Sequence, residues 1–148
     1  MLGLIQRVAS ASVSIDGNVV GAIDRGLLLL LGIEKDDTTV QADRLLQKVL
    51  AYRVFADADG KMNLSLADVG GGLLVVSQFT LAADTGRGLR PSFSTAKAPA
   101  EAEQLYEHFL QSARALHPLV AAGRFGADMQ VALVNDGPVT FLLKSTTT

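Results

Sequence analysis

Residues 27–33 read Leu-Leu-Leu-Leu-Leu-Gly-Ile, apolar at nearly every position. A strand with one wet face alternates apolar and polar residues, and this run does not. It predicts a central strand covered on both faces. Leu73-Leu74-Val75-Val76 has the same character, and Val131-Ala132-Leu133-Val134 is a third apolar run. A chain built around such strands needs a sheet with cover on either side.

The remaining pattern supplies that cover. Residues 3–15 form a first strand region with Val8, Val13 and Ile15 as apolar members. Asp16-Gly17-Asn18 is a hairpin turn, because Gly and Asn accept positive φ. Residues 19–23 return, and Asp24-Arg25-Gly26 turns again. Thr38-x-x-Gln41 reads as a capping box. The helix it starts runs to about Arg53, with Ala42, Leu45, Leu46, Val49 and Leu50 on one face. Residues 61–66 form a short strand. Residues 82–98 are a long polar loop. Pro99 opens a second helix, a residue suited to the first turn. His117 suits its last turn, and Pro118 ends it. Two closing strands are expected over 129–134 and 139–144, then a frayed tail over 145–148. The order β-β-β-α-β-β-α-β-β predicts an α+β fold with a mostly antiparallel or mixed sheet and two main helices. Gly70-Gly71-Gly72 precedes a strand instead of opening a helix, so it is not a phosphate loop.

Composition narrows the chemistry. The 148 residues suit one domain, 1–148, and 49% of them are hydrophobic, enough for an aliphatic core. There is no cysteine. That removes disulfides, thiolate nucleophiles and Cys-ligated metals, and it fits a reducing compartment. Neither a secretory leader nor the ~20 apolar residues of a membrane span is visible, so a cytoplasmic protein is expected. Net charge is −2, which argues against a generic nucleic-acid binder. Both His residues, His108 and His117, fall in one predicted helix, which disfavours a His metal site. Asp57-Ala58-Asp59-Gly60 starts like a calcium loop but has Asp68, not Glu, at its twelfth position, and it reads as a turn. Glu34, Asp36 and Asp37 read as a solvated turn. No metal or other cofactor is called for.

Two segments at strand ends carry the candidate chemistry. Ser77-Gln78-Phe79-Thr80 offers hydroxyls, an amide and backbone N–H groups beyond a ladder's end, where they can face a developing oxyanion. Thr80 as a nucleophile would need a base in reach, and no His is evident for it. Asn135-Asp136-Gly137-Pro138 has two readings. One is an ordinary hairpin turn. The other is a fixed backbone prong that sorts ligands by shape. Arg87, Arg90 and Lys97 make a modest basic loop, either solvated or in contact with phosphate.

At these residues the chain resembles the D-aminoacyl-tRNA deacylase family. The resemblance runs from Leu4-Ile5-Gln6-Arg7-Val8 through Lys61-Met62-Asn63-Leu64, Ser77-Gln78-Phe79-Thr80-Leu81 and Arg90-Pro91-Ser92-Phe93 to Asn135-Asp136-Gly137-Pro138-Val139-Thr140. It implies a barrel-like sheet and a homodimer with active sites at the subunit interface. It implies a cis Gly137–Pro138 bond that enters the partner's pocket and faces Ser77, Gln78, Phe79 and Thr80 there. Arg7 and Met129 would hold that turn.

The implied reaction is hydrolysis of the ester joining a D-amino acid, or glycine mischarged on tRNA(Ala), to the 3′ end of tRNA. L-aminoacyl-tRNA would be rejected sterically by the Gly137-Pro138 carbonyls. The neighbouring ribose 2′-OH would assist catalysis, while backbone donors from Ser77 through Thr80 stabilise the oxyanion. The rivals are a Thr80-nucleophile esterase and a non-catalytic RNA-binding dimer.

Overall fold

The structure is a computed structural model and describes residues 1–145. Strand β1 (Leu2–Ile15) is the spine of the sheet. One of its edges pairs antiparallel with β3 (Gly26–Gly32) over its first half and with β2 (Asn18–Ile23) over its second. The turn between β1 and β2 bends through positive φ at Asp16 (50°) and Gly17 (80°), as the Asp-Gly signal demands. Strand β6 (Gly72–Ser77) runs parallel to β3, and the short β7 (Val120–Ala122) parallel to β6. The opposite edge of β1 is taken along its length by β8 (Gln130–Lys144).

The sheet is mixed and barrel-like. At Gly21 of β2 a Cβ would stand 2.9 Å from the Ala122 carbonyl oxygen of β7. The outermost strands of the order β2-β1-β3-β6-β7 therefore approach backbone to backbone.

The apolar runs of β3 and β6 divide between two cores by parity, whereas in 131–134 only Val131 and Leu133 pack inward and Ala132 and Val134 are exposed. Leu27, Leu29 and Leu31 of β3, with Leu73 and Val75 of β6, face one cluster. It is completed by Leu45, Leu46 and Val49 of helix α1 (Thr39–Ala51) and by Tyr106 and Phe109 of the later helix α3 (Pro99–Leu116). Leu28, Leu74 and Val76 point the other way, onto Val8, Ala11 and Val13 of β1. Both faces are thus covered. Burying each such Leu or Val contributes about 1.5–3 kcal/mol, so the uninterrupted runs are what hold the two layers to one sheet.

The capping box forms: Thr38 accepts from the Val40 N–H at 3.2 Å, and the Gln41 side chain accepts from the Thr38 N–H at 2.7 Å. α1 ends at Ala51, slightly short of Arg53. A further short helix, α2 (Leu66–Val69), follows the small hairpin β4 (Phe55–Ala56) and β5 (Met62–Leu64). Its Ser65–Asp68 capping box holds the Asp68 carboxyl below its usual range, first through the Ser65 backbone N–H. The expected strand 61–66 is thereby cut to three residues, because Ser65 caps a helix instead of continuing the ladder.

Three further expectations change. The closing segment is not two strands joined by a hairpin. Both halves of β8 pair with β1 and neither pairs with the other. The frayed tail does not include Ser145. Its N–H donates to the Met1 carbonyl at 3.0 Å and its hydroxyl to the Gln41 carbonyl at 2.9 Å, so it is buried. Residues 146–148 lie outside the described residues. The acidic turn is not merely solvated either. Asp37 is buried and, with Glu34, accepts from the Met1 ammonium at 2.8 and 3.0 Å.

Candidate functional site

The C-terminal end of β6 opens into a cavity of about 630 Å³. Ser77 ends the strand, Gln78 leaves it, and Phe79–Ala82 form a turn of 3-10 helix. Ser77, Gln78 and Phe79 line the cavity on one side, with Phe93, Phe125 and Met129 among the other walls. Phe79 and Phe93 face each other with ring centroids 5.1 Å apart and planes tilted by 50°. Thr80 is exposed and does not line the cavity.

Loop 83–98 forms a wall and not a free strap. Its Asp84 and Ser92 exchange backbone hydrogen bonds at 2.7 and 3.0 Å. Farther along, Lys35 N–H donates to Thr95 O at 3.0 Å and Lys97 N–H to Ile33 O at 3.2 Å. The Thr95 hydroxyl donates to the Ala82 carbonyl.

The polar side chains on the cavity wall are those of Ser77, Gln78 and Lys97. Lys97 Nζ donates to the Lys35 carbonyl at 2.9 Å and lies 3.8 Å from Glu101. Neither His reaches the site. His108 pairs with Asp43 at 2.7 Å between α3 and α1, and buried His117 donates to the Gly71 carbonyl at 2.6 Å. Among the described residues, no group of three or more His, Asp or Glu side chains is placed to hold a metal ion. No described helix is long and apolar enough to cross a membrane.

The backbone donors are fewer than the sequence suggests. The Gln78 N–H is already committed to the Leu31 carbonyl at 2.8 Å. The N–H groups of Phe79 and Thr80 open the 3-10 turn, where the first donors have no intrahelical acceptor. Gln78 is better placed by its side chain, whose amide donates to the Thr80 hydroxyl. An amide N–H cannot take a proton from that hydroxyl, so Thr80 has no base beside it.

The second segment stands apart from this cavity within the chain. Gln6 pairs with Thr140 and Val8 with Asn135, so residues 136–139 stand opposite Arg7 alone. They leave the ladder as a large bulge, with Asp136, Gly137 and Pro138 exposed. The Gly137–Pro138 bond is cis. Arg7 Nε donates to the Asp136 carbonyl at 3.1 Å, and Arg7 Nη1 to the Val54 carbonyl at 2.7 Å. Arg7 therefore lies against the bulge, while Met129 lines the cavity. A family model described as D-Tyr-tRNA(Tyr) deacylase matches residues 4–144, nearly the whole chain.

The chain belongs to that family. A D-aminoacyl-tRNA deacylase of Pseudomonas fluorescens (strain Pf0-1) is 66% identical over 145 residues, 98% of this chain and 100% of the relative. A D-aminoacyl-tRNA deacylase of Cellvibrio japonicus (strain Ueda107) is 65% identical over 144 residues, 97% of this chain and 99% of the relative. A solved structure titled c-Myc DNA Unwinding Element Binding Protein superposes with a TM-score of 0.95 at 41% identity, covering 99% of this chain and all of that one. The D-Tyr-tRNA(Tyr) deacylase fold is thus shared across nearly the full length, and of segment 77–81 Ser77, Gln78 and Phe79 line the cavity while segment 135–140 carries the bulge.

Sequence reasoning missed Val54 and Phe125. Val54 contributes a carbonyl, which any residue could offer. Phe125 enters from a segment with no motif of its own, and only the fold brings its ring to the cavity.

Proposed function

We propose that this protein hydrolyses the ester between a D-amino acid, or glycine mischarged on tRNA(Ala), and the 3′-terminal adenosine of tRNA. The observation that carries the reading is a cavity whose wall has unpaired backbone donors beside it and no carboxylate or imidazole in it. An aminoacyl ester is activated already, so such a site needs only to orient it and to stabilise the oxyanion. The ribose 2′-OH then positions or activates the water. The N–H groups of Phe79 and Thr80 are the donors, with Ser77 and Gln78 shaping the wall. The facing rings of Phe79 and Phe93 suit the flat face of a nucleobase.

We read the working form as a homodimer. Gly137 and Pro138 project from the sheet yet do not line their own chain's cavity, which favours their insertion into a partner's. There the carbonyls of Gly137 and Pro138 would meet the side chain of an L residue. Hydrogen or a D side chain would point away. Exclusion of this kind discriminates by a clash, which separates substrates more sharply than an added attraction does. Arg7 would keep the turn in orientation within its own chain, and Met129, on the cavity wall, would meet the turn that enters from the partner. The site would be reached from solution by a tRNA end in the cytoplasm.

Deacylation of matched D-, L- and glycyl-tRNA tests this. Rapid turnover of the D and glycyl forms with the L form spared is expected. Thr80→Ala should retain most activity, and a tRNA ending in 2′-deoxyadenosine should lose it. A Thr80 nucleophile would give the reverse pair. An RNA-binding dimer without activity would turn over none of the three.

A further inference from the structure

Both feet of the bulge at 136–139 are tied by side chains. Arg7 holds the first, through the Asp136 carbonyl. The second is held by Asn135. Its Oδ1 accepts the Val139 N–H at 3.1 Å, so a side chain from one end of the excursion takes the place of the lost ladder partner at the other. Its Nδ2 donates to the Thr140 hydroxyl at 3.1 Å, and that same oxygen accepts from Gln6 Nε2 at 3.2 Å. The Thr140 oxygen thus receives two donors, which fills its two lone pairs. Gln6 and Thr140 are the last paired residues before the bulge. The network therefore anchors the excursion to the part of the sheet that is still in register.

We propose that Asn135, seated by Thr140 and Gln6, is a positioning residue for substrate selection. It touches no substrate. It fixes where the carbonyls of Gly137 and Pro138 point by closing the loop from residue 135 to residue 139. This rests on the reading that this segment excludes L-aminoacyl groups. Without the clamp the excursion has one tied foot, at Arg7, and its carbonyls sample a wider range. An L side chain is then excluded less often. A glycyl ester, with no side chain to exclude, is turned over as before.

The test compares kcat/KM for matched D-, L- and glycyl-tRNA in Asn135→Ala, Thr140→Val, Thr140→Ser and Pro138→Ala, with thermal melting of each. Two neutral hydrogen bonds are lost in Asn135→Ala, and the D-over-L ratio is expected to fall about tenfold. Glycyl-tRNA turnover should stay within about twofold. Thr140→Val should lower the ratio too, and Thr140→Ser, which keeps the hydroxyl, should restore it. That rescue also decides the matter if Asn135→Ala fails to fold. A ratio unchanged in Asn135→Ala and Thr140→Val, with Pro138→Ala lowering it, overturns the clamp and leaves the selection reading standing. A ratio unchanged in Pro138→Ala as well overturns both.

Discussion

Arg7 Nε donates to the carbonyl of Asp136 at 3.1 Å from a position on β1 that has no pairing partner on β8. The same guanidinium reaches the Val54 carbonyl at 2.7 Å, so it ties the projecting segment to the connection between α1 and β4. A planar fork can serve two carbonyls at once, which an ammonium on a flexible stem cannot do in fixed geometry.

Arg7→Lys and Arg7→Ala should therefore both loosen the segment. Each bond from a charged donor is worth about 1.5–3 kcal/mol. The D-over-L ratio in kcat/KM is expected to fall by about ten- to a hundredfold, with Lys rescuing little. Parallel kinetics on D- and L-aminoacyl-tRNA check this, and a Lys variant with the parent ratio would refute it.

Arg87 and Arg90 have no hydrogen-bond or ion-pair partner among the described residues, and both are exposed on the loop that walls the cavity. They are free to meet phosphates of the tRNA end. The double variant Arg87→Ala plus Arg90→Ala should raise KM and flatten its dependence on salt, by a log–log slope of about one per lost contact. An unchanged KM and unchanged salt slope would remove these residues from the RNA contact.

Gly26 of β3 lies against Gly72 of β6. A Cβ at residue 26 would stand 1.9 Å from the Gly72 carbonyl oxygen and 2.7 Å from its nitrogen. Backbone on the far side of the contact cannot turn aside as a flexible side chain would. Gly26→Ala should cost about 3 kcal/mol or more, because two strands paired in register have to part. Urea unfolding of parent and variant measures it, and a midpoint within error of the parent would contradict it.

Tyr106 is buried on α3 and donates to the Gly123 carbonyl at 2.8 Å and to the Val75 carbonyl at 3.3 Å. Burial pushes its phenol above the ordinary value of 10.0, with the nearby Glu107 adding to the rise. The neutral form is the one the fold keeps. Its contribution is therefore complete below pH 10 and is lost as pH rises beyond it. Tyr106→Phe should be less stable at pH 7 by about 1–2 kcal/mol, yet its stability should fall less steeply above pH 10. Denaturant midpoints measured across pH 8–12 decide this, and parallel curves for the two proteins would count against it.

The parts legible in the sequence are those where neighbours along the chain settle the outcome. Residues 27–33 and 73–76 are apolar at successive positions, and only a doubly covered strand satisfies both parities at once. Thr38, Gln41 and Pro99 act within one helical turn. What was not legible depends on partners far along the chain. Asn135-Asp136-Gly137-Pro138 has the composition of a tight turn, but whether it is one depends on what pairs with its flanks. Both flanks pair with β1, so it is an excursion from a single strand. The Gln78 N–H looks available until the Leu31 carbonyl is found beside it. Ser145 looks like a loose end until Met1 and Gln41 receive it.

That excursion separates what the fold needs from what a ligand would meet. β8 resumes its pairing with β1 on both sides of residues 136–139, and of these only Val139 is buried in the core, so the sheet does not depend on the exposed side chains at 136 and 138. Gly137, at φ 130°, is held to glycine, but its neighbours Asp136 and Pro138 can change, and the shape they offer a ligand can be retuned over generations, while the strand that carries them stays in register. A protein arranged in this way can change its preference among substrates by inheritance of small local changes, without first having to become less stable.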